Sequence, residues 1–259
     1  MNKPRHNLAL PCVVGLFYDW QTLKTLTPIQ IIQLLDPYLS SERKRRISEV
    51  IQGRTRTVVP VLDRVCDLGN INAVLRSAEA LGFDQIEIIE SGDGYKTSNR
   101  ASQGTDKWLT MRKWQDPARC LEQLKQDGYR IYATHLSPTA VPIHELDFTQ
   151  KCAVVLGNEK EGVGAEVLQR ADATFMIPMY GFAQSFNISV AAALCFNHIA
   201  SDRMRRQGRH GDLSPEAREE LQARYFELSV PSAEPILERL VRDGAAPRRQ
   251  DTAESPNSR

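Results

Sequence analysis

No pair of cysteines in this chain has CxxC spacing and no pair of histidines has HxxxH spacing, so the usual ligand patterns of a protein metal site are missing. The five cysteines, Cys12, Cys66, Cys120, Cys152 and Cys195, are scattered and odd in number. Several lie in apolar runs, which predicts reduced, buried thiols rather than a disulfide framework. No apolar run approaches the length of a membrane span. The first twenty residues start basic and turn briefly apolar. Pro11 interrupts that patch, and Asp19 and Trp20 follow where small cleavage-site residues belong, so the expectation is a cytoplasmic chain without a secretory leader. A GK[ST] phosphate loop is absent and no GxGxxG follows the first strand, which disfavours nucleotide-triphosphate and dinucleotide sites. Internal repeats are absent as well. Net charge is nearly absent, at +1, so global charge points to no partner.

What is present is ample for a real core: 259 residues, 41% of them hydrophobic. Local charge is more informative than the total. Arg43 to Arg56, "RKRRISEVIQGRTR", holds six basic residues, Arg43, Lys44, Arg45, Arg46, Arg54 and Arg56, against one Glu. It reads as a basic helix ending at Gly53. Two interpretations stay open here, a solvated helix face and a surface that tracks nucleic-acid phosphates.

From residue 58 onward strands alternate with helices. "VVPVL", "QIEIIE", "RIYATHL", "CAVVLG" and "ATFMIPM" read as strands. "NINAVLRSAEALG" reads as a helix with Ile71, Val74, Leu75 and Ala78 on one face and Gly82 as its stop. "DPARCLEQLKQDG" reads as another, with Asp116 as N-cap, Pro117 in the first turn and Gly128 as stop. A third helix is expected at "GAEVLQRA", and a later one at "SPEAREELQARYFEL", starting at Ser214-Pro215. This alternation predicts an α/β fold with a mostly parallel sheet covered on both faces.

In such a sheet, ligands gather beyond the carboxyl ends of the strands. Three loops follow strands here: "DLGN", leading into the helix that carries Arg76; "LGNEKEGVG", Leu156 to Gly164; and "IPMYGFAQSFNIS", which precedes an Ala-rich helix. The second, with three glycines, allows close backbone approach to a ligand, although an ordinary loop would look the same. In the third, one of Ser185, Asn187 and Ser189 suffices to cap the helix. The surplus of uncharged polar groups points toward a bound ligand.

Taken together, the three loops resemble the three motifs of the SPOUT methyltransferases, specifically the SpoU/TrmH family of RNA 2′-O-methyltransferases. The likeness runs over roughly residues 43 to 205, in the family's order and spacing. It implies a fold in which the C-terminal segment is threaded into a deep trefoil knot, an exception to the rule that connections do not thread. It also implies S-adenosylmethionine as cofactor, no metal, and a homodimer, which fits the Ala-rich helix. On this resemblance Arg76 contacts and activates the ribose hydroxyl, and Asn70, Glu159, Ser185 and Asn187 orient the reacting groups. Thr134, His135, Leu156, Gly157, Asn158, Glu159, Ile177, Met179, Ser185 and Phe186 hold the cofactor. A guanidinium has a pKa above about 12 and rarely deprotonates, so Arg76 would mainly place and stabilise a developing alkoxide.

Members that act on ribosomal RNA often carry an L30-like N-terminal domain. About fifty residues precede the first strand here, too few for one. The basic helix directly before the catalytic domain is similar to the members that methylate guanosine-18 of tRNA. "SQGTDKWLTMRKW" also resembles their substrate-side loop, with Ser102, Lys107 and Arg112 facing tRNA phosphates. Residues 1 to 40 are longer than in compact bacterial relatives, and Glu161 stands where some have an aromatic residue. The expected organisation is a helical, basic RNA-binding extension (1–56), a knotted methyltransferase domain (57–205), a C-terminal helical extension (206–244) and a disordered tail (245–259). Ribosomal RNA as substrate, or a silent RNA-binding protein that kept the fold, are the alternatives.

Overall fold

The computed structural model describes residues 26–90 and 104–244. The expectations for residues 1–25, for Ser102 and for the tail 245–259 lie outside the described residues. Two compact units are formed, Gln52–Leu213 and, separately, residues 26–51 together with 214–244.

The larger unit is built on a seven-stranded sheet whose paired strands all run parallel. In chain order the strands are β1 (Val58–Asp63), β2 (Gln85–Ile89), β3 (Thr110–Trp114), β4 (Arg130–Thr134), β5 (Val141–Pro142), β6 (Cys152–Gly157) and β7 (Ala173–Met176). In space they are ordered β3-β2-β1-β6-β4-β7-β5. The parallel sheet expected from the strand–helix alternation is therefore present. Pro60 has no N–H to donate, and it lies one residue before the β1–β2 pairing begins at Val61.

Period-two alternation divides the buried residues between two cores. Val58, Leu62, Val154 and Leu156 pack with Ile71, Val74, Leu75 and Ala78 and with Ile188, Ala192, Cys195, Phe196 and Ile199. Val59, Val61, Ala153 and Val155 pack on the opposite face with Cys120, Leu121, Leu124 and Val167. These residues define the helices that cover the sheet. Helices α3 (Leu68–Ala80) and α6 (Ile188–Gln207) cover one face; α4 (Pro117–Gln126) and α5 (Ala165–Arg170) cover the other. The N-cap expected at Asp116 is made, and Gly82 follows α3 with φ +84°, where a Cβ would stand 2.4 Å from the Gly53 carbonyl oxygen.

The smaller unit holds α1 (Pro28–Leu35), most of α2 (Ser41–Gln52), α7 (Pro215–Ser229) and α8 (Ala233–Arg242). Helix α7 packs on α1, and α8 touches both. A capping box starts α1: Thr27 Oγ1 accepts from the Gln30 N–H and Gln30 Oε1 accepts from the Thr27 N–H. The signature "TPIQ" marks this helix in the sequence. Helix α2 is the basic helix, ending at the expected place, with Ile47 and Ile51 buried and Arg45 and Arg46 exposed.

Two sequence expectations need correction. Arg54, read as an RNA contact, is 1% exposed. Its Nη1 donates to the carbonyls of Glu79 and Phe83 at 2.9 and 2.8 Å, and its Nη2 pairs with Glu79 Oε1 at 2.6 Å. It is an internal clamp between the end of α3 and the start of β2. Arg112, read as lying in a substrate-side loop, belongs to the edge strand β3. Its Nε and Nη2 lie 2.8 and 2.7 Å from Oε1 of Glu87, a wholly buried carboxylate that also accepts from Trp114 Nε1. Such a carboxylate needs its cation nearby.

Of the four described cysteines, Cys120, Cys152 and Cys195 are buried and Cys66 is exposed. Burial pushes the thiols of Cys152 and Cys195 up to about 12, so they are inert packing groups.

Arg54→Ala is expected to lower the unfolding free energy by about 3 kcal/mol or more, read from urea denaturation, because buried acceptors lose their donor. A surface phosphate contact would leave stability nearly unchanged. His210 gives a second test. It packs edge-on against Phe83 beside Arg203 and Asp212. Burial first, and then the Arg203 charge, lower its pKa to about 4. Folding thus favours the neutral ring. Its contribution should be complete above the unfolded-state pKa of about 6.5 and decline as pH falls from there toward about 4. His210→Gln should flatten that part of the stability–pH curve.

Candidate active site

The carboxyl ends of four neighbouring strands, Asp63 of β1, Gly157 of β6, Thr134 of β4 and Met176 of β7, lie side by side at one edge of the sheet. The three loops singled out in the sequence leave from this row or lead into the helices beside it.

The first begins α3. Asp67 is the N-cap, and its Oδ1 accepts the Asn70 backbone N–H at 2.7 Å. The helix starts two residues earlier than the sequence reading placed it. Asn70 therefore has its backbone satisfied and its carboxamide available. The second loop folds back on itself. Asn158 and Gly162 exchange backbone hydrogen bonds of 3.1 and 3.0 Å, and Asn158 Oδ1 accepts from the N–H groups of Lys160 and Glu161 at 2.9 and 2.7 Å. Glu159 is presented, exposed, at the tip. The third loop, from Ile177 to Asn187, has no regular structure and ends where Asn187 caps α6. Asn187 Oδ1 accepts from the Ser189 N–H and Oγ at 2.9 and 2.6 Å.

The three loops meet at one carboxamide. Asn70 Nδ2 donates to Glu159 Oε1 at 2.7 Å, and Asn187 Nδ2 donates to Asn70 Oδ1 at 3.1 Å. These bonds join residues separated by 89 and 117 positions in the chain. Arg76 is exposed on α3, six residues after Asn70 and so about 9 Å further along the axis.

Of the residues expected to hold a cofactor, Leu156 and Gly157 end β6, while Ile177 and Met179 follow β7 half-buried. Thr134 uses its hydroxyl to donate to the Val155 carbonyl at 3.1 Å, and the His135 N–H donates to the Phe175 carbonyl at 3.0 Å. Asn158 is engaged in shaping its own loop. Ser185 is exposed and Phe186 is 40% exposed. Leu136 nearby in sequence is 56% exposed. Apolar side chains, Leu136, Ile177, Met179 and Phe186, are thus at least partly exposed after β4 and β7. Among the described residues no group of three or more His, Cys, Asp or Glu is placed to hold a metal, and no helix is long and apolar enough to cross a membrane.

Sequence reading does not single out Tyr180 and Phe182. Both are essentially fully exposed, at 98% and 108%, on either side of Gly181 in the third loop. Their signal is two large aromatic residues flanking a glycine, just before the polar residues Gln184, Ser185 and Asn187.

The chain as a whole is similar to known proteins. The model described as the SpoU rRNA Methylase family matches residues 57–197. The chain is 31% identical over 210 residues to the tRNA (guanosine(18)-2′-O)-methyltransferase of Borreliella burgdorferi, covering 81% of this chain and 95% of that one. It is 36% identical over 163 residues to the protein of the same name from Thermus thermophilus, covering 63% and 84%. The crystal structure of the A. aeolicus TrmH/SpoU tRNA modifying enzyme superposes with a TM-score of 0.67 at 30% identity, covering 74% of this chain and 98% of that one.

Asn187→Ala removes both a helix cap and the link to Asn70. It is expected to cost about 1 kcal/mol in thermal or urea unfolding. Asn187→Asp should retain the cap and lose only the link, since a carboxylate accepts but cannot donate.

Proposed function

Since the chain belongs to the SpoU rRNA methylase family, we propose that it is an S-adenosylmethionine-dependent RNA 2′-O-methyltransferase whose substrate is guanosine-18 in the D-loop of tRNA. The observation that carries this reading is the junction of Asn70, Glu159 and Asn187, one residue from each motif. The substrate follows from the relatives named for that reaction.

S-adenosylmethionine would supply a methyl group already activated on a sulfonium, so no metal is needed. Leu156, Gly157, Ile177 and Met179 would hold it through backbone groups, with Thr134, His135, Asn158, Ser185 and Phe186 at its borders. Arg76 places the ribose and stabilises charge as the 2′-oxygen loses its proton. Glu159 and Asn187 fix the Asn70 amide, and Ser185 orients substrate or cofactor. A guanidinium is a poor base, so a substrate phosphate beside Arg76 is the better proton acceptor.

Arg45 and Arg46, 74% and 68% exposed, are the cations of α2 best suited to tRNA phosphates. Arg43 donates to Ser229 Oγ, Lys44 pairs with Asp36 at 2.6 Å, and Arg56 pairs with Asp84, so their part is smaller. Lys107 lies over the Trp108 ring at 4.7 Å, in the stretch assigned to the tRNA side. Tyr180 and Phe182 offer ring faces on which an unpaired base can stack. Val190 and Leu194, exposed one turn apart on α6, suit a homodimer formed through that helix. The reading includes the family's trefoil knot, with the chain after β6 threaded, and its basic N-terminal and helical C-terminal extensions around a domain of residues 57–205. A cytoplasmic location goes with a tRNA substrate.

The test is methylation of unmodified tRNA transcript with labelled S-adenosylmethionine, followed by mapping of 2′-O-methyl groups. The expected product carries the mark at guanosine-18. Arg76→Ala should reduce turnover by about 10²-fold or more with an unchanged circular dichroism spectrum. A mark placed on ribosomal RNA and not on tRNA would overturn the substrate. Cofactor-independent RNA binding without any methyl transfer would overturn the reaction.

A further inference from the structure

The loop that carries Glu159 is anchored by a residue outside the three motifs. Strand β1 ends on Asp63, whose carboxylate is wholly buried and lies in register with Gly157 of β6. Asp63 Oδ2 accepts the backbone N–H of Gly164 at 2.7 Å, across 101 positions of chain. Asp63 Oδ1 accepts from Arg64 Nε at 3.1 Å. Arg64 has φ +54°, the left-handed region that costs a side-chain-bearing residue on the order of 1 kcal/mol. Its N–H donates to the Ile89 carbonyl at 2.9 Å, and the turn lays the guanidinium back over the preceding carboxylate.

The two bases of the loop are closely packed, against backbone at Gly157 and against the Arg64 guanidinium at Gly164. A Cβ on Gly157 would stand 2.1 Å from the Gly162 carbonyl carbon and the Val163 nitrogen. A Cβ on Gly164 would stand 2.0 Å from Arg64 Nη2 and 3.3 Å from Asp63 Oδ2. Between these points the Asn158–Gly162 bridge closes the hairpin, and Glu159 at its tip reaches Asn70. The Gly164 bond to Asp63 therefore fixes one base of the hairpin relative to the sheet.

We propose that Asp63 is a positioning residue for the methyl-transfer site: its buried carboxylate, balanced by Arg64, holds the Gly164 N–H and through it the hairpin that presents Glu159. The catalytic part of this inference rests on the function proposed above. A charged anchor in the interior is retained because the loop needs a strong acceptor at a point where water cannot supply one. Charge-assisted bonds to backbone N–H groups are shorter and stronger than neutral ones.

The test compares Asp63→Ala, Asp63→Asn and Arg64→Asn with the parent chain by three measurements. These are amide hydrogen exchange over residues 157–164, calorimetry with S-adenosylmethionine, and kcat and KM on tRNA transcript. Asp63→Ala should speed exchange in that segment by roughly tenfold while β1 and β6 keep their protection. It should lower kcat by about 10²-fold, because small displacements of reacting groups have effects of that size, and raise KM for tRNA by less than about threefold. Asp63→Asn keeps an acceptor for Gly164 and should recover most of the protection and kcat. Asn tolerates the left-handed backbone, so Arg64→Asn should fold, loosen the segment and lower kcat in the same direction. Unchanged exchange in Asp63→Ala overturns the anchor, and faster exchange with unchanged kcat overturns its catalytic role. If Asp63→Ala does not fold, unchanged exchange and kcat in Arg64→Asn overturn the proposal. Should the parent chain methylate no tRNA, the function reading falls. The anchor is then judged by exchange and by a roughly tenfold loss of S-adenosylmethionine affinity in Asp63→Ala.

Discussion

Every part of the candidate site depends on a single side-chain amide having two unlike ends. A carboxylate can only accept, so the amide nitrogen of Asn70 faces that of Glu159, at 2.7 Å. That leaves the Asn70 oxygen toward Asn187, which must then present its own nitrogen. The remaining Asn187 oxygen has one kind of partner left, a donor, and it finds the Ser189 N–H and hydroxyl at the start of α6. The direction of each bond is thus set by the carboxylate at one end and by the helix terminus at the other. Asp at position 70 would bring an acceptor against an acceptor, and Leu would leave Glu159 and Asn187 without their link. Asn187 suits its place in this relay because a carboxylate cannot donate and an ammonium cannot accept, whereas an amide does both.

For such a relay to hold, the three loops must arrive at the same place, and the parallel sheet arranges that. Parallel pairing sends every carboxyl end to one edge, and the spatial order puts β1, β6, β4 and β7 next to one another. Register then depends on charges placed inside. Arg54 joins the end of α3 to the start of β2, Glu87 collects Arg112 and Trp114 from the edge strand, and Arg203 joins Phe148 to His210 and Asp212. Apolar contacts alone would tolerate small slips of these elements. A buried ion with directional bonds does not, because each displaced bond leaves a desolvated group unpaired. Asp63 belongs to the same class of group.

The difference between what the sequence disclosed and what it concealed follows the same lines. Elements with strong periodicity were legible: the face of α3 with Ile71, Val74, Leu75 and Ala78, the capped α4, and the apolar runs of β1 and β6. The three loops were legible through their order and spacing, which carried the family as well as Asn70, Glu159 and Asn187. The edge strand β3 was not, because "TMRKW" has no apolar alternation; it is held by Glu87, a partner 25 residues away from Arg112. The start of α1 carried its signature in "TPIQ", but a short capping box is easily passed over beside a proline. Arg54 was misread because a guanidinium in a basic run looks the same whether its fork faces water or two carbonyls. Asp63 was invisible for a related reason: its meaning lies in Gly164, and one-dimensional spacing does not reveal a partner 101 residues on.

The count of basic residues in "RKRRISEVIQGRTR" therefore overstates the charge available to a polyanion. Arg54 is internal, Arg56 holds the buried Asp84 at 2.6 Å, Lys44 holds Asp36 at 2.6 Å, and Arg43 bonds Ser229. Arg45 and Arg46 remain, and they share Glu49 at 3.7 and 3.5 Å. Exposed pairs of that length contribute between zero and about 1 kcal/mol, so a phosphate can replace Glu49 at little cost. A pair such as Arg56–Asp84 cannot be exchanged in this way, because releasing the partly exposed cation strands a buried carboxylate. The electrostatic surface of α2 is consequently set by which cations have weak enough internal partners to change them. On that criterion the cations of α2 that a polyanion could engage are the two adjacent arginines Arg45 and Arg46, not all six basic residues of the stretch.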